Sequence, residues 1–306
     1  MQRERAQRTP ILMIAGLAAL FIWMTVLPVM ADGRAGQIQP EKLLYKTTED
    51  AKGRPVELHL HVFKPEGWSA EDQRPAIVFF FGGGWTSGSP QQFFPQSEEL
   101  AAQGMVAVSA EYRIKSKHGT PPQACVEDGK SAMRYVRANA QKLGIDPERI
   151  VASGGSAGGH VAMCTALIKG FDAEGESNQI SSKPNLMVLF NPVIDTSAET
   201  GYGPKKVGEN PRSLSPLHHM SKDQPPSLML YGDADWMVES ARRFEKKSKE
   251  FGVECRLIEY KGAKHGFFNS GGYREQKNDE PNYHELTMIE AIVFLQKHRY
   301  LEGSDE

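Results

Sequence analysis

The ten residues Val151-Ala152-Ser153-Gly154-Gly155-Ser156-Ala157-Gly158-Gly159-His160 place the tightest constraint on how this chain folds. They follow directly on Ile150 and contain the pattern Gly-x-Ser-x-Gly at Gly154–Gly158. A short apolar strand that turns abruptly into a helix puts the serine on a strained tip, with its hydroxyl exposed and the helix N-terminus behind it. Small residues are needed on both sides, because a larger side chain would collide with the neighbouring strand and helix. Those five residues also fit an ordinary glycine-rich turn, so the rest of the chain has to decide.

Strand-length apolar runs and helical periods alternate along the sequence. Val56, Leu58, Leu60 and Val62 alternate with Glu57, His59 and His61, the pattern of a half-exposed strand near a sheet edge. Residues 76–81, 105–110, 150–152, 186–190, 227–231 and 254–260 read as further strands. Residues 93–103, 126–143, 157–168, 238–251 and 283–298 read as helices. Apolar strands separated by helices predict an α/β fold with a mostly parallel central sheet covered by helices on both faces. No boundary splits residues 55–300, so one domain is expected there, with 32–54 as an N-terminal extension. Residues 192–226 are long, polar and turn-rich, an excursion over one end of the sheet and a candidate pocket wall.

Residues 1–31 stand outside that domain. Arg3, Arg5 and Arg8 precede an uncharged run over residues 10–30, and Val29-Met30-Ala31 offers small residues for a signal peptidase. The run is also long enough to span a bilayer. Both readings predict a chain that is secreted or periplasmic, or anchored in the membrane by residues 10–30. The 36 basic and 38 acidic residues leave a net charge of −2, which argues against a nucleic-acid partner. Cys125, Cys164 and Cys255 lack metal-like spacing and read as free thiols, with one disulfide left open. Oligomeric state is not legible.

A serine hydroxyl is a weak nucleophile until a base takes its proton and a third group holds that base. In a parallel sheet those groups belong just beyond the C-terminal ends of later strands. Gly232-Asp233-Ala234-Asp235 follows one such strand, and residues 261–267, containing His265-Gly266-Phe267, follow the next. His265 is the candidate base, because a surface histidine would need neither Gly266 nor the apolar Phe267-Phe268 behind it. His160 reads as packed one turn into the helix after Ser156, and His218 and His219 follow no strand. For the acid, Asp235, where the loop turns into a helix, is taken ahead of Asp233, which also fits a turn bonded to its own backbone. Asp195 is a third candidate, and Glu127 and Asp128 read as carboxylates favoured at a helix start.

Acyl transfer also needs donors aimed at an oxyanion. The N–H groups of Ala157, Gly83 and Gly84 are assigned to that role, with the register in Gly82-Gly83-Gly84-Trp85 open by one residue. Trp85, Phe93, Phe94, Phe267 and Phe268 are pocket candidates, although strand-end aromatics more often belong to the core. Loops 115–123, 197–224 and 269–281 are read as shaping access.

Taken together, these motifs resemble the α/β-hydrolase superfamily, in its serine esterase/lipase branch related to hormone-sensitive lipase and to bacterial acetyl and feruloyl esterases. The resemblance covers roughly residues 55–300. It rests on Phe79–Trp85, Glu111-Tyr112-Arg113, Asp128, Asp146–Ile150, Gly154–Gly159, Gly232–Asp235 and His265-Gly266-Phe267. The family usually has histidine where Phe81 stands, bracing the oxyanion loop, and aspartate where Glu111 stands, tied to the neighbouring Arg113. The resemblance implies a catalytic domain that needs no metal or cofactor. Its expected activity is serine carboxylesterase action on small to medium esters, including acetyl or feruloyl groups on polysaccharide. A serine amidase, peptidase or aryl formamidase is the alternative on the same fold, and a catalytically inactive binding module the alternative of another class.

Overall fold

The computed structural model describes residues 39–177, 179–270 and 281–303. Its strands are β1 (Glu41–Glu49), β2 (Pro55–Phe63), β3 (Arg74–Phe80), β4 (Val106–Ala110), β5 (Ile145–Gly155), β6 (Leu186–Phe190), β7 (Ser227–Gly232) and β8 (Cys255–Tyr260). Its helices are α1 (Phe94–Ala102), α2 (Lys115–His118), α3 (Pro122–Ala138), α4 (Ala140–Leu143), α5 (Ala157–Leu167), α6 (Pro204–Val207), α7 (Val238–Glu250) and α8 (Tyr283–Lys297).

The eight strands form one sheet in the order β1-β2-β4-β3-β5-β6-β7-β8. Only β1 and β2 break the parallel run, β1 against β2 and β2 against β4. The inner strands are buried on both faces, which is why they read as unbroken apolar runs. One face carries α1 and α8, joined where His284 Nε2 meets Glu99 at 3.5 Å. The other carries α3 and α5, packed against each other. The chain leaves β3 for β4 on one side and returns to β5 on the other, so strand order reverses beside β3 and β5. A crevice opens at such a reversal, outside the carboxyl ends of the strands.

The sheet begins earlier than residue 55. Residues 41–49, read from sequence as part of an extension, pair with β2 along nearly their whole length. The helix expected from residue 126 begins at Pro122, so Glu127 and Asp128 lie more than a turn inside α3 rather than at its start. The three cysteines are free. The expectation of membrane anchoring is corrected: among the described residues no helix is long and apolar enough to cross a membrane. Residues 10–30, on which that expectation rested, lie outside the described residues.

Candidate active site

β5 runs straight into α5 through Ser156, whose φ of 52° and ψ of −119° put a non-glycine residue in a conformation L side chains rarely adopt. Strain of this kind costs about 1–3 kcal/mol and persists only where the surroundings hold it. Here the Ser156 N–H donates to Phe190 O at 3.0 Å, and its carbonyl accepts from His160 and Val193, each at 3.0 Å. The flanking glycines are steric necessities. A Cβ on Gly158 would stand 2.0 Å from Phe80 O, and one on Gly155 would stand 2.4 Å from the Phe268 ring.

The loops after β7 and β8 deliver two more groups to this tip. His265 Nε2 lies 2.8 Å from Ser156 Oγ, and His265 Nδ1 lies 2.7 Å from Asp235 Oδ2. Asp235 is buried, and its second oxygen accepts the Met237 N–H at 3.0 Å, which fixes the carboxylate plane. A hydroxyl, an imidazole and a buried carboxylate in that order can draw the proton from Oγ while the carboxylate stabilises the cation that forms. Asp233 instead accepts the Gly262 N–H at 2.6 Å, holding the β8 loop. Asp195 is tied up by Ser197, Thr200 and Arg243 and held well below the usual carboxylate range. Burial acts upward on it, and those hydrogen bonds outweigh that.

The N–H groups of Gly83, Gly84 and Ala157 have no hydrogen-bond acceptor among the described residues. Gly83 has φ of 121°, and a Cβ there would lie 2.1 Å from Ser87 O, so no other residue fits that turn. With phenylalanine at position 81, other groups hold the loop. Phe81 stacks on Tyr112 with centroids 4.1 Å apart, and Tyr112 Oη donates to Phe81 O at 2.5 Å. Gln92 Oε1 accepts the Gly82 N–H at 2.5 Å, while Gln92 Nε2 donates to Asn269 Oδ1 at 2.9 Å. Asn269 donates to Gly266 O at 2.8 Å, and Asn191 Oδ1 accepts the Gly266 N–H at 3.2 Å. Sequence reasoning missed Gln92, Asn269 and Asn191, whose contacts follow no local spacing.

His160 packs as expected, and usefully. Its Nδ1 accepts from the Trp85 indole N–H at 3.2 Å, which leaves Nε2–H to donate to Leu214 O at 2.7 Å. Burial pushes its pKa down to about 4, so the ring is neutral at pH 7. Trp236 was also missed. It is 68% exposed, and its ring lies over His265 with centroids 4.8 Å apart.

Two expectations are corrected. Of the aromatic pocket candidates, Phe93, Phe267 and Phe268 are buried in the core, while Trp85, also buried, borders a cavity beside the Gly83–Gly84 loop. Phe93, Phe190 and Phe268 pack together beneath the serine turn, which is how strand-end aromatics fill the space under a tight turn. Only Phe94 among these candidates is partly exposed. Glu111 does not pair with Arg113. It accepts from the His59 N–H at 3.0 Å and meets the His59 and His61 rings at 3.2 and 3.1 Å. Burial acts upward on that carboxyl, but the His61 and His59 bonds and nearby Lys42 bring it down to about 2. Arg113 turns instead into Asp128, with Nε to Oδ2 at 2.8 Å and Nη2 to Oδ1 at 2.9 Å.

A family model described as BD-FAE matches residues 60–202, and one described as alpha/beta hydrolase fold matches 202–269. Among solved structures, Thermogutta terrifontis esterase 2 phosphorylated by paraoxon is 42% identical with a TM-score of 0.79, covering 88% of this chain and 97% of that one. The chain belongs to the α/β-hydrolase-fold esterases. The same Thermogutta terrifontis esterase bound to propionate matches this serine esterase at 40% identity and a TM-score of 0.78, over 88% and 98% of the two chains. Esterase LipC of Mycobacterium tuberculosis is 28% identical over 74% of this esterase, which spans only 59% of LipC.

Proposed function

We infer that this chain is a carboxylesterase that cleaves small esters through an acyl-enzyme on Ser156. One observation carries the reading: Ser156 Oγ, on its strained turn, stands in an unbroken hydrogen-bonded line with His265 and Asp235. His265 takes the proton as Oγ attacks the ester carbonyl, and Asp235 holds the imidazole through Nδ1. The unpartnered N–H groups of Gly83, Gly84 and Ala157 receive the oxyanion; a donor of this kind typically contributes about 3 kcal/mol. His265 then gives its proton to the departing alcohol and activates the water that releases the acid. The Thermogutta terrifontis esterase 2 forms with bound propionate and butyrate support a preference for short acyl groups here.

The experiment is a series of p-nitrophenyl esters from acetyl to decanoyl. The expected result is a burst of nitrophenol with the highest kcat/KM at propionyl or butyryl, and a loss of roughly four orders of magnitude or more in Ser156→Ala. A maximum at octanoyl or beyond would make the chain a lipase instead. Acetylated xylan and methyl ferulate in the same series test whether polysaccharide-linked acetyl or feruloyl esters, and with them the acetyl/feruloyl branch, describe its natural role.

A further inference from the structure

Beside the loop that carries Gly83 and Gly84 lies a cavity of about 220 Å³ that no catalytic step above uses. Its wall includes Gly84 and Trp85, Lys115 of α2, Thr120, and Lys205 and Lys206 of α6. Among the described residues three cations line it and no acid does. Neither the Lys115 nor the Lys205 ammonium has a partner among the described residues. Among the described residues the Lys206 ammonium reaches only the Gly84 carbonyl, at 3.2 Å, and the Tyr202 ring. Lys115, Lys205 and Lys206 stand exposed at the cavity rim, whereas Lys46 and Lys130, which the fold draws inward, are neutralised by Asp128 at 2.8 Å and Asp172 at 3.4 Å. The chain as a whole is slightly acidic, so the cluster is local.

Two further observations point to a ligand. Thr120 is only 5% exposed, lines the cavity, and its hydroxyl has no hydrogen-bond partner. Pro121 and Pro122, which carry no N–H, bring the N-terminus of the seventeen-residue α3 to the same wall, where the positive end of the helix dipole favours negative charge. Like charges gathered without a counter-ion repel one another, and an anion among them relieves that repulsion.

We propose that this cavity binds an anionic substituent of the substrate, so that the preferred esters carry a carboxylate, sulfate or phosphate near the scissile bond. The proposal rests on the esterase reading, because Gly84 is shared by the cavity wall and the candidate oxyanion hole. A group held at this wall therefore belongs to the ester whose carbonyl enters that hole.

The test compares phenyl butyrate with phenyl hydrogen adipate, charged in its acyl half, and with the para-carboxyphenyl, para-sulfophenyl and para-phosphonophenyl butyrates, charged in the alcohol half. Wild type is expected to favour at least one charged ester about tenfold in kcat/KM at low salt, a preference that added salt erodes. The double variant Lys115→Met/Lys205→Met, which leaves Lys206 on Gly84, is expected to lose that preference through KM while cleaving phenyl butyrate unchanged. Equal use of charged and neutral esters by wild type, or a double variant that affects both alike, overturns the proposal. If no ester is cleaved, the esterase reading has failed, and calorimetric titration of the charged esters into Ser156→Ala decides the subsite alone. Binding of a charged ester that the added lysine substitutions abolish upholds it; binding no tighter than phenyl butyrate, or none, overturns it.

Discussion

Gln92 accepts the Gly82 N–H and donates to Asn269, which in turn donates to the carbonyl of Gly266 next to His265. One side chain thus spans the oxyanion loop and the histidine loop, the two segments whose spacing sets the distance from donors to base. Gln92→Ala is expected to lower kcat about tenfold to a hundredfold with KM little changed, since a misplacement of about 1 Å has that effect. Gln92→Glu keeps the acceptor for Gly82 and should recover part of the loss; steady-state kinetics on a butyryl ester read both. A loss in KM alone, or no rescue, would assign Gln92 a different role. No sequence signal marks this residue, because its partners lie 10 and 177 positions away. Ser156 and His265 were legible because each sits in glycine-bounded context at a strand end. Asp233 and Asp235 were not separable by spacing, since both follow β7; only their partners, Gly262 N–H for one and His265 for the other, distinguish them.

β1, α3 and the segment after β4 are clamped together by buried charge. Asp128 receives Arg113 and Lys46, Glu127 meets the same two cations at 2.7 and 2.9 Å, and Arg113 also donates to Glu49 O on β1 at 3.0 Å. Asp128→Ala leaves two largely buried cations short of a partner and is expected to destabilise the fold by about 3–5 kcal/mol, read from urea unfolding. A change below about 1 kcal/mol would show that Glu127 alone suffices. This clamp explains two misreadings. The residues of β1 alternate too weakly in polarity to declare a strand; the ladder to β2 places them in the sheet, and Lys46 ties them to α3. The resemblance implies that the carboxylate at position 111 pairs with Arg113, but β4 ends at Ala110, and beyond that point strand alternation no longer governs where side chains point.

The sheet order brings the ends of β3, β5, β7 and β8 to one edge of the molecule, and every residue assigned to the chemistry sits just past one of those ends. That convergence was readable, because buried parallel strands have continuous apolar sequences and because the reversal of strand order makes a crevice at their carboxyl ends. The substrate-facing walls were not, because loops 115–123 and 197–224 fold through long-range contacts such as Lys115 N to Trp85 O, and Lys206 to Gly84 O. The central claim is that this architecture makes Ser156 a nucleophile. Incubation with paraoxon followed by intact-mass and peptide-mass spectrometry tests it most directly. The account expects one diethylphosphoryl group per chain, on the peptide containing Ser156, with none added to Ser156→Ala or to chain unfolded in urea. A folded wild-type chain that stays unlabelled, or carries its label on another residue, would contradict it.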